Sequence, residues 1–209
     1  MLEFANDGGP LLVAPRVPAP LWEGSELPRG GRVVSATART MGEVATDYDR
    51  ACDVQGGAAL LTAGSGWVIA LSTEVAGAGW IPLNGEPLSV ALAAVDGGFD
   101  GSLPEIYARL SQGEWTLLTD GLQIGPGGLL LMHAGGNPNS VAEVAFDSNV
   151  DMGYAAIGEA ITYPCPPGCY RVELIEHVRR RSPTVPGEYA VLLRLTRTGE
   201  LGRASVTAG

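Results

Sequence analysis

The run Ala58-Ala59-Leu60-Leu61-Thr62 is followed by Ala63-Gly64-Ser65-Gly66 and then by Trp67-Val68-Ile69-Ala70-Leu71. Each apolar run is too short for an independent helix, and Trp, Val and Ile suit an extended, half-buried backbone. The four small residues between them include two glycines, which adopt the positive φ angles of a tight connection at no steric cost. This stretch therefore predicts a β-hairpin, and with it a β-rich fold.

Working outward, a turn at Asn84-Gly85 leads to a further strand over Leu88 to Val95. Upstream, the oxygens of Thr46 and Asp47 can accept an orphan N–H and start a short helix over Tyr48 to Val54. Arg32 to Ala36 is a strand candidate. Pro10, Pro15, Pro18 and Pro20 lack donors, so Leu11 to Ala14 is expected to be no more than an edge strand.

Downstream, Asp96-Gly97-Gly98-Phe99-Asp100-Gly101 reads as a linker, predicting a β-rich domain at 1–98 and a companion domain at 99–209. Ser102-Leu103-Pro104-Glu105 has the spacing of a capping box with proline in the first turn. The helix it opens, over Leu103 to Ser111, puts Leu103, Ile106, Tyr107 and Leu110 on one face. Beyond it lie Trp115 to Leu118, Leu122 to Ile124, Leu129 to His133, Ala142 to Phe146, Ala160 to Tyr163, Cys169 to Glu176, Tyr189 to Thr196 and Arg203 to Thr207. Many short strands with regular turns predict a sandwich-like unit. The fold class expected is thus mainly β (α+β), with short antiparallel strands and one or two short helices. Pro167-Gly168-Cys169-Tyr170-Arg171-Val172 and Pro186-Gly187-Glu188-Tyr189-Ala190-Val191 share the pattern Pro-Gly-x-Tyr-x-Val. Each predicts a turn running into a strand with Tyr and Val on one face.

The 209 residues include 30 Gly and 15 Pro, too many for a helical bundle. The formal net charge is −10, which disfavours nucleic acid as a partner, because phosphate binding needs clustered cations. All 13 basic residues are Arg. Without lysine there is no phosphate-loop lysine, Schiff base or lysine general base. The apolar runs fall short of a bilayer's thickness, and the N-terminus lacks a cationic secretory leader, so a cytoplasmic protein that does not engage membranes is expected.

Candidate chemistry is sparse. Cys165-Pro166-Pro167-Gly168-Cys169 could be taken for a metal or redox motif, but Cys52, His133 and His177, which would have to complete it, lack paired-ligand spacing. A Pro-Pro-Gly corner flanked by two small, buried thiols is the favoured reading. Gly64-Ser65-Gly66 lacks the glycine that a nucleophile elbow carries two residues before its serine. Asp96 to Tyr107 fails as a calcium loop because Tyr107 stands where a bidentate Glu is required. No enzyme activity, metal or cofactor is expected. Glu43, Asp47, Asp49 and Asp53 are different: four carboxylates around Arg50. They suit either a helix start complementing its dipole or an acidic surface for a cationic partner.

Four segments considered together carry a family resemblance: Gly8-Gly9-Pro10-Leu11-Leu12-Val13, Trp22-Glu23-Gly24, Asp47-Tyr48-Asp49-Arg50-Ala51-Cys52 and Trp80-Ile81-Pro82 before an apolar strand. Over roughly residues 6 to 95 the chain resembles the immunity protein 21 family, predicted immunity proteins of bacterial polymorphic toxin systems. The resemblance implies stoichiometric binding of a basic toxin domain without turnover. Asp47, Asp49 and Asp53, with Glu43 beside them, would supply complementary charge, and Trp22 and Tyr48 aromatic anchors, the alternative for these two rings being ordinary core packing. An expectation of another class is a β-sandwich module that stacks a small ligand or carbohydrate on Trp67, Trp80 and Trp115. An uncharacterised hydrolase is a third.

Overall fold

A computed structural model describes residues 2–5, 9–16, 21–25, 46–64, 66–72, 77–83, 89–96, 99–138, 142–145, 153–154, 159–180 and 187–200. The strand candidates at Arg32 to Ala36 and Arg203 to Thr207 lie outside these residues, as does Glu43.

In chain order the strands are β1 (Leu2–Ala5), β2 (Leu11–Pro15), β3 (Ala58–Ala63), β4 (Gly66–Leu71), β5 (Gly77–Leu83), β6 (Ser89–Asp96), β7 (Thr116–Ile124), β8 (Leu129–His133), β9 (Ala142–Ala145), β10 (Gly153–Tyr154), β11 (Glu159–Tyr163), β12 (Gly168–Arg179) and β13 (Glu188–Gly199). Two short helices, α1 (Asp47–Cys52) and α2 (Leu103–Leu110), complete the described elements. The fold is mainly β, as the hairpin and turn pattern implied.

The strands form a seven-stranded sheet, β10-β1-β5-β6-β13-β12-β7, and a six-stranded sheet, β3-β4-β2-β8-β11-β9. Pairing is antiparallel except between β1 and β10 and between β9 and β11. The deciding hairpin forms with Ala58 opposite Leu71 and Ala63 opposite Gly66.

Strand alternation builds three apolar layers. Leu11, Val13, Ile69, Leu71, Leu129 and Leu131 point inward from the six-stranded sheet, to meet Trp80, Leu92, Tyr170, Val172, Val191 and Leu193 from the other. The alternate residues Leu12, Ala14, Val68, Ala70, Leu130 and Met132 face outward and are covered by Trp22 and Ala51. On the opposite side Ile81, Ala91, Ala93, Ile175 and Leu192 are covered by Leu103 and Ile106 of α2. Both faces of the central strands are therefore dry, which is why they read as unbroken apolar runs with no polar alternation. The Pro-Gly-x-Tyr-x-Val copies open β12 and β13, and Tyr170, Val172, Tyr189 and Val191 all enter the central core.

Two expectations need correction. The proposed boundary at residue 98 does not separate two units. Strand β6 pairs with β13 from Ser89–Thr196 to Asp96–Tyr189, and β2 lies between β4 and β8. Both sheets and their shared core thus draw on both halves of the chain. Gly101, at φ 103°, precedes the α2 cap, where Glu105 accepts from the Ser102 amide at 2.7 Å. Next, Leu11–Pro15 is a central strand with every residue buried. Its prolines flank or end it, so Leu11 to Ala14 keep their donors. Trp80-Ile81-Pro82-Leu83, quoted above as preceding an apolar strand, itself lies within β5, although Pro82 removes a donor. Among the described residues β1 pairs with Gly77 to Gly79, and Pro82 has its one strand partner, Val90, on the β6 side.

Candidate functional site

The quoted N-terminal segments, apart from the tryptophan–proline one, converge at one end of the six-stranded sheet. The helix α1 begins the knot. Thr46 is its N-cap, its hydroxyl accepting from the Asp49 amide at 3.2 Å, while Asp49 Oδ2 accepts from the Thr46 amide at 2.7 Å. These reciprocal bonds satisfy donors that a helix start leaves orphaned.

Asp47 ties the helix to its neighbours. Its Oδ2 accepts from the Glu23 amide at 2.8 Å, and its Oδ1 pairs with Arg50 Nη1 at 2.9 Å. Arg50 then donates through Nη2 to the Thr62 carbonyl at 2.8 Å, closing off part of the exposed edge of β3. Its guanidinium carbon lies 5.8 Å from the Trp22 ring centroid. Trp22 is fully buried and donates from Nε1 to the Ala134 carbonyl at 2.8 Å. The Tyr48 amide donates to the Gly24 carbonyl at 2.9 Å, and the Tyr48 ring stacks on His133 at 5.6 Å.

Glycine is required here for space. A Cβ on Gly24, at φ 62°, would sit 2.2 Å from the Gly135 carbonyl oxygen. One on Gly9, at φ 115°, would come within 2.7 Å of the Tyr48 hydroxyl and 2.8 Å of His133 Nε2. These contacts explain the Trp-x-Gly and Gly-Gly-Pro signatures as packing against α1 and the end of β8. The segment His133 to Gly136 completes the knot, although its sequence gave no motif to single it out. Its signal is the pair Gly135-Gly136 directly after an apolar strand.

Two titratable groups of the knot, Cys52 and Tyr48, are shifted in the same direction. Burial pushes the Cys52 thiol up, with Asp49 and Asp53 acting in the same direction against a lowering hydrogen bond from Tyr48. Burial also raises the Tyr48 hydroxyl, helped by Cys52 and Asp49. A reactive cysteine needs the opposite shift. His133 Nδ1 accepts from the Gly135 amide at 3.1 Å, so the neutral ring carries its proton on Nε2.

The expected partner-binding residues therefore fall into distinct places. Trp22 is a core residue in this conformation, with no surface to offer a partner. Asp47 and Asp49 hold the helix, and Asp47 is only 12% exposed. Tyr48 and Asp53 are half-buried at the knot's surface. Glu23, which the sequence reading did not single out, joins them. The described knot thus has four carboxylates (Glu23, Asp47, Asp49 and Asp53) and one guanidinium, Arg50. A carboxylate that accepts one or two bonds keeps its charge and further acceptor positions.

The alternative stacking surfaces are scattered. Trp80 is 1% exposed and packs against Tyr163 between the sheets. Trp115 lies under the Arg194 guanidinium at 4.2 Å, on the outer face of the seven-stranded sheet. Trp67 alone of the three is substantially exposed, at 45%. Cys165 is buried and Cys169 half-buried, and both are free thiols. No helix among the described residues is long and apolar enough to cross a membrane.

No protein-family model matches the chain, and neither the curated proteins nor the solved structures include one significantly similar to it.

Proposed function

We propose that this protein is an immunity protein, which binds and neutralises a cognate bacterial toxin domain by stoichiometric inhibition, with the knot around α1 as its binding face. One observation carries the reading: four carboxylates and one guanidinium stand at a hydrogen-bonded junction of segments remote in sequence. Backbone and side-chain bonds fix Asp47 and Asp49 before any partner arrives, so little ordering entropy remains to be lost on binding. The net charge of −10 steers a cationic domain toward such a face. Tyr48 adds a ring of the type that dominates binding energy at protein interfaces. Inhibition needs occupation only, so raised pKa values at Cys52 and Tyr48 are no handicap.

The test is co-expression in a bacterial host with the C-terminal domain of the reading frame immediately upstream. The intact chain should restore growth. Glu23→Gln with Asp53→Asn should retain the fold and slow association several-fold at low ionic strength. An unchanged association rate would remove the acidic face from the mechanism; growth arrest despite intact chain would remove the function.

A further inference from the structure

With the two-residue β10 set aside, the strand orders of the sheets are β1-β5-β6-β13-β12-β7 and β3-β4-β2-β8-β11-β9. Exchanging β1 with β7, β2 with β8, β3 with β9, β4 with β11, β5 with β12 and β6 with β13 turns each order into its own reverse. The exchange also preserves chain order: β1 to β6 run through residues 2–96, and their counterparts follow in the same sequence through 116–199. In both series the first strand lies in the larger sheet, the next three in the smaller and the last two in the larger.

The registers repeat the relation residue by residue. A two-fold axis that passes between neighbouring strands requires them to be antiparallel, and both central pairs, β2–β8 and β6–β13, are so. Val13 lies between Leu131 and Ile69, and Leu131 between Val13 and Ile161; all four enter the core between the sheets. The reciprocal bonds of an isologous contact are present. The Ala134 amide donates to the Pro10 carbonyl at 3.0 Å, and the Arg16 amide to the Gly128 carbonyl at 2.9 Å. Gly9 and Gly127, each two residues before its strand, take φ 115° and 95°. An added Cβ would come within 2.8 Å of His133 at the first and 2.9 Å of Arg16 at the second. Each of those side chains stands at the end of the other series' strand.

We infer that the chain is an internal duplication: residues 2–96 and 116–199 are two copies of one six-strand motif, related by a pseudo-two-fold axis through the central pairs β2–β8 and β6–β13. The copies interleave as the subunits of an isologous dimer do, so the Asp96–Gly101 run ends a copy without separating two cores. Helix α2, in the connection between the copies, lies over the axis. Its Leu103 and Ile106 cover Ile81 and Ala93 from one copy and Ile175 and Leu192 from the other.

The copies differ in three places. Strand β9 is parallel to β11, whereas β3 is antiparallel to β4. Among the described residues β10 has no counterpart. Helix α1 stands in the connection 16–57, whose counterpart is 134–141. The acidic knot is therefore single on a doubled frame. Under the inhibitor reading proposed above, on which this consequence alone rests, each chain takes one partner.

A permuted chain tests the duplication, because the connection that joins β6 to β7 must equally be able to join β13 to β1. Reordered as 116–200, then 97–115, then 2–96, the protein carries α2 across the symmetry-related gap. Its amide spectrum should be as dispersed as the parent's, and its urea midpoint should lie within about 15% of the parent's. A crystal structure of the parent chain supplies a second measure. One half-turn should superpose the Cα atoms of β1, β2, β4, β5 and β6 on those of β7, β8, β11, β12 and β13. Collapsed dispersion in the permuted chain, or a best rotation far from a half-turn, would overturn the duplication. Calorimetry with the C-terminal domain of the upstream reading frame should give one molecule bound per chain. Two per chain would overturn the single face and leave the duplication standing, and no binding would overturn the inhibitor reading alone.

Discussion

Residues 1–98 and 99–209, produced as separate chains, are each expected to be unfolded. In the intact molecule β2 is hydrogen-bonded to β8 on one side and β4 on the other, and β6 is paired with β13 over eight positions. Cutting at residue 98 strips β6, β13, β2 and β8 of a neighbour each, leaving buried backbone donors and acceptors without partners. The central core is divided as well: Leu11, Val13, Ile69, Trp80 and Leu92 come from one half, and Leu129, Tyr170, Val172, Val191 and Leu193 from the other. Neither half keeps a face to bury its apolar strands against. Amide proton spectra of each fragment should show the narrow dispersion of an unfolded chain, and mixing the two should restore dispersion if complementation is efficient. A dispersed spectrum from either fragment alone would refute the interleaved topology.

Trp22→Ala is expected to cost about 3–5 kcal/mol, the usual range for emptying a buried aromatic position. That is a large share of a typical domain's total stability, about 5–15 kcal/mol. Trp22 covers the outer face of the six-stranded sheet with Ala51, and its indole N–H satisfies the Ala134 carbonyl across 112 residues of sequence. Truncation opens a cavity beneath α1 and frees the loop that carries Glu23 and Gly24. Gly24→Ala should destabilise the same junction by about 1–3 kcal/mol, since its Cβ would meet backbone, which cannot swing aside. Urea unfolding measures both: the midpoint should fall with the slope nearly unchanged. A loss below about 1 kcal/mol for Trp22→Ala would mean that the knot is not part of the cooperative core.

Local chemistry made much of this legible in the sequence. The β3–β4 hairpin follows from its glycine-containing turn, and α2 from Ser102, Pro104 and Glu105. The Tyr and Val positions of β12 and β13 follow from strand alternation. What could not be read was partnership. The run at Asp96 to Gly101 looks like a linker because its glycines favour a break in regular structure, and a connection between strands and helices of one domain has the same composition. Strand β2 is central despite the prolines around it, because a proline matters only through its position relative to the ladder.

The candidate site was half legible for a related reason. Asp47, Tyr48 and Trp22 stood out by residue type, but burial separates Trp22 from the surface and no local pattern encodes that. The arrival of His133 to Gly136 beside Gly9 and Gly24 is a long-range fact of sheet order. Glu23 went unremarked because its relevance comes from its backbone bond to Asp47.

The most direct measurement is titration calorimetry of the intact chain against the C-terminal domain of the upstream reading frame at 50 and 200 mM salt. One-to-one binding is expected, with affinity falling as salt screens the acidic knot. No heat of binding, or an affinity indifferent to salt, would contradict the claim that this face captures a cationic protein.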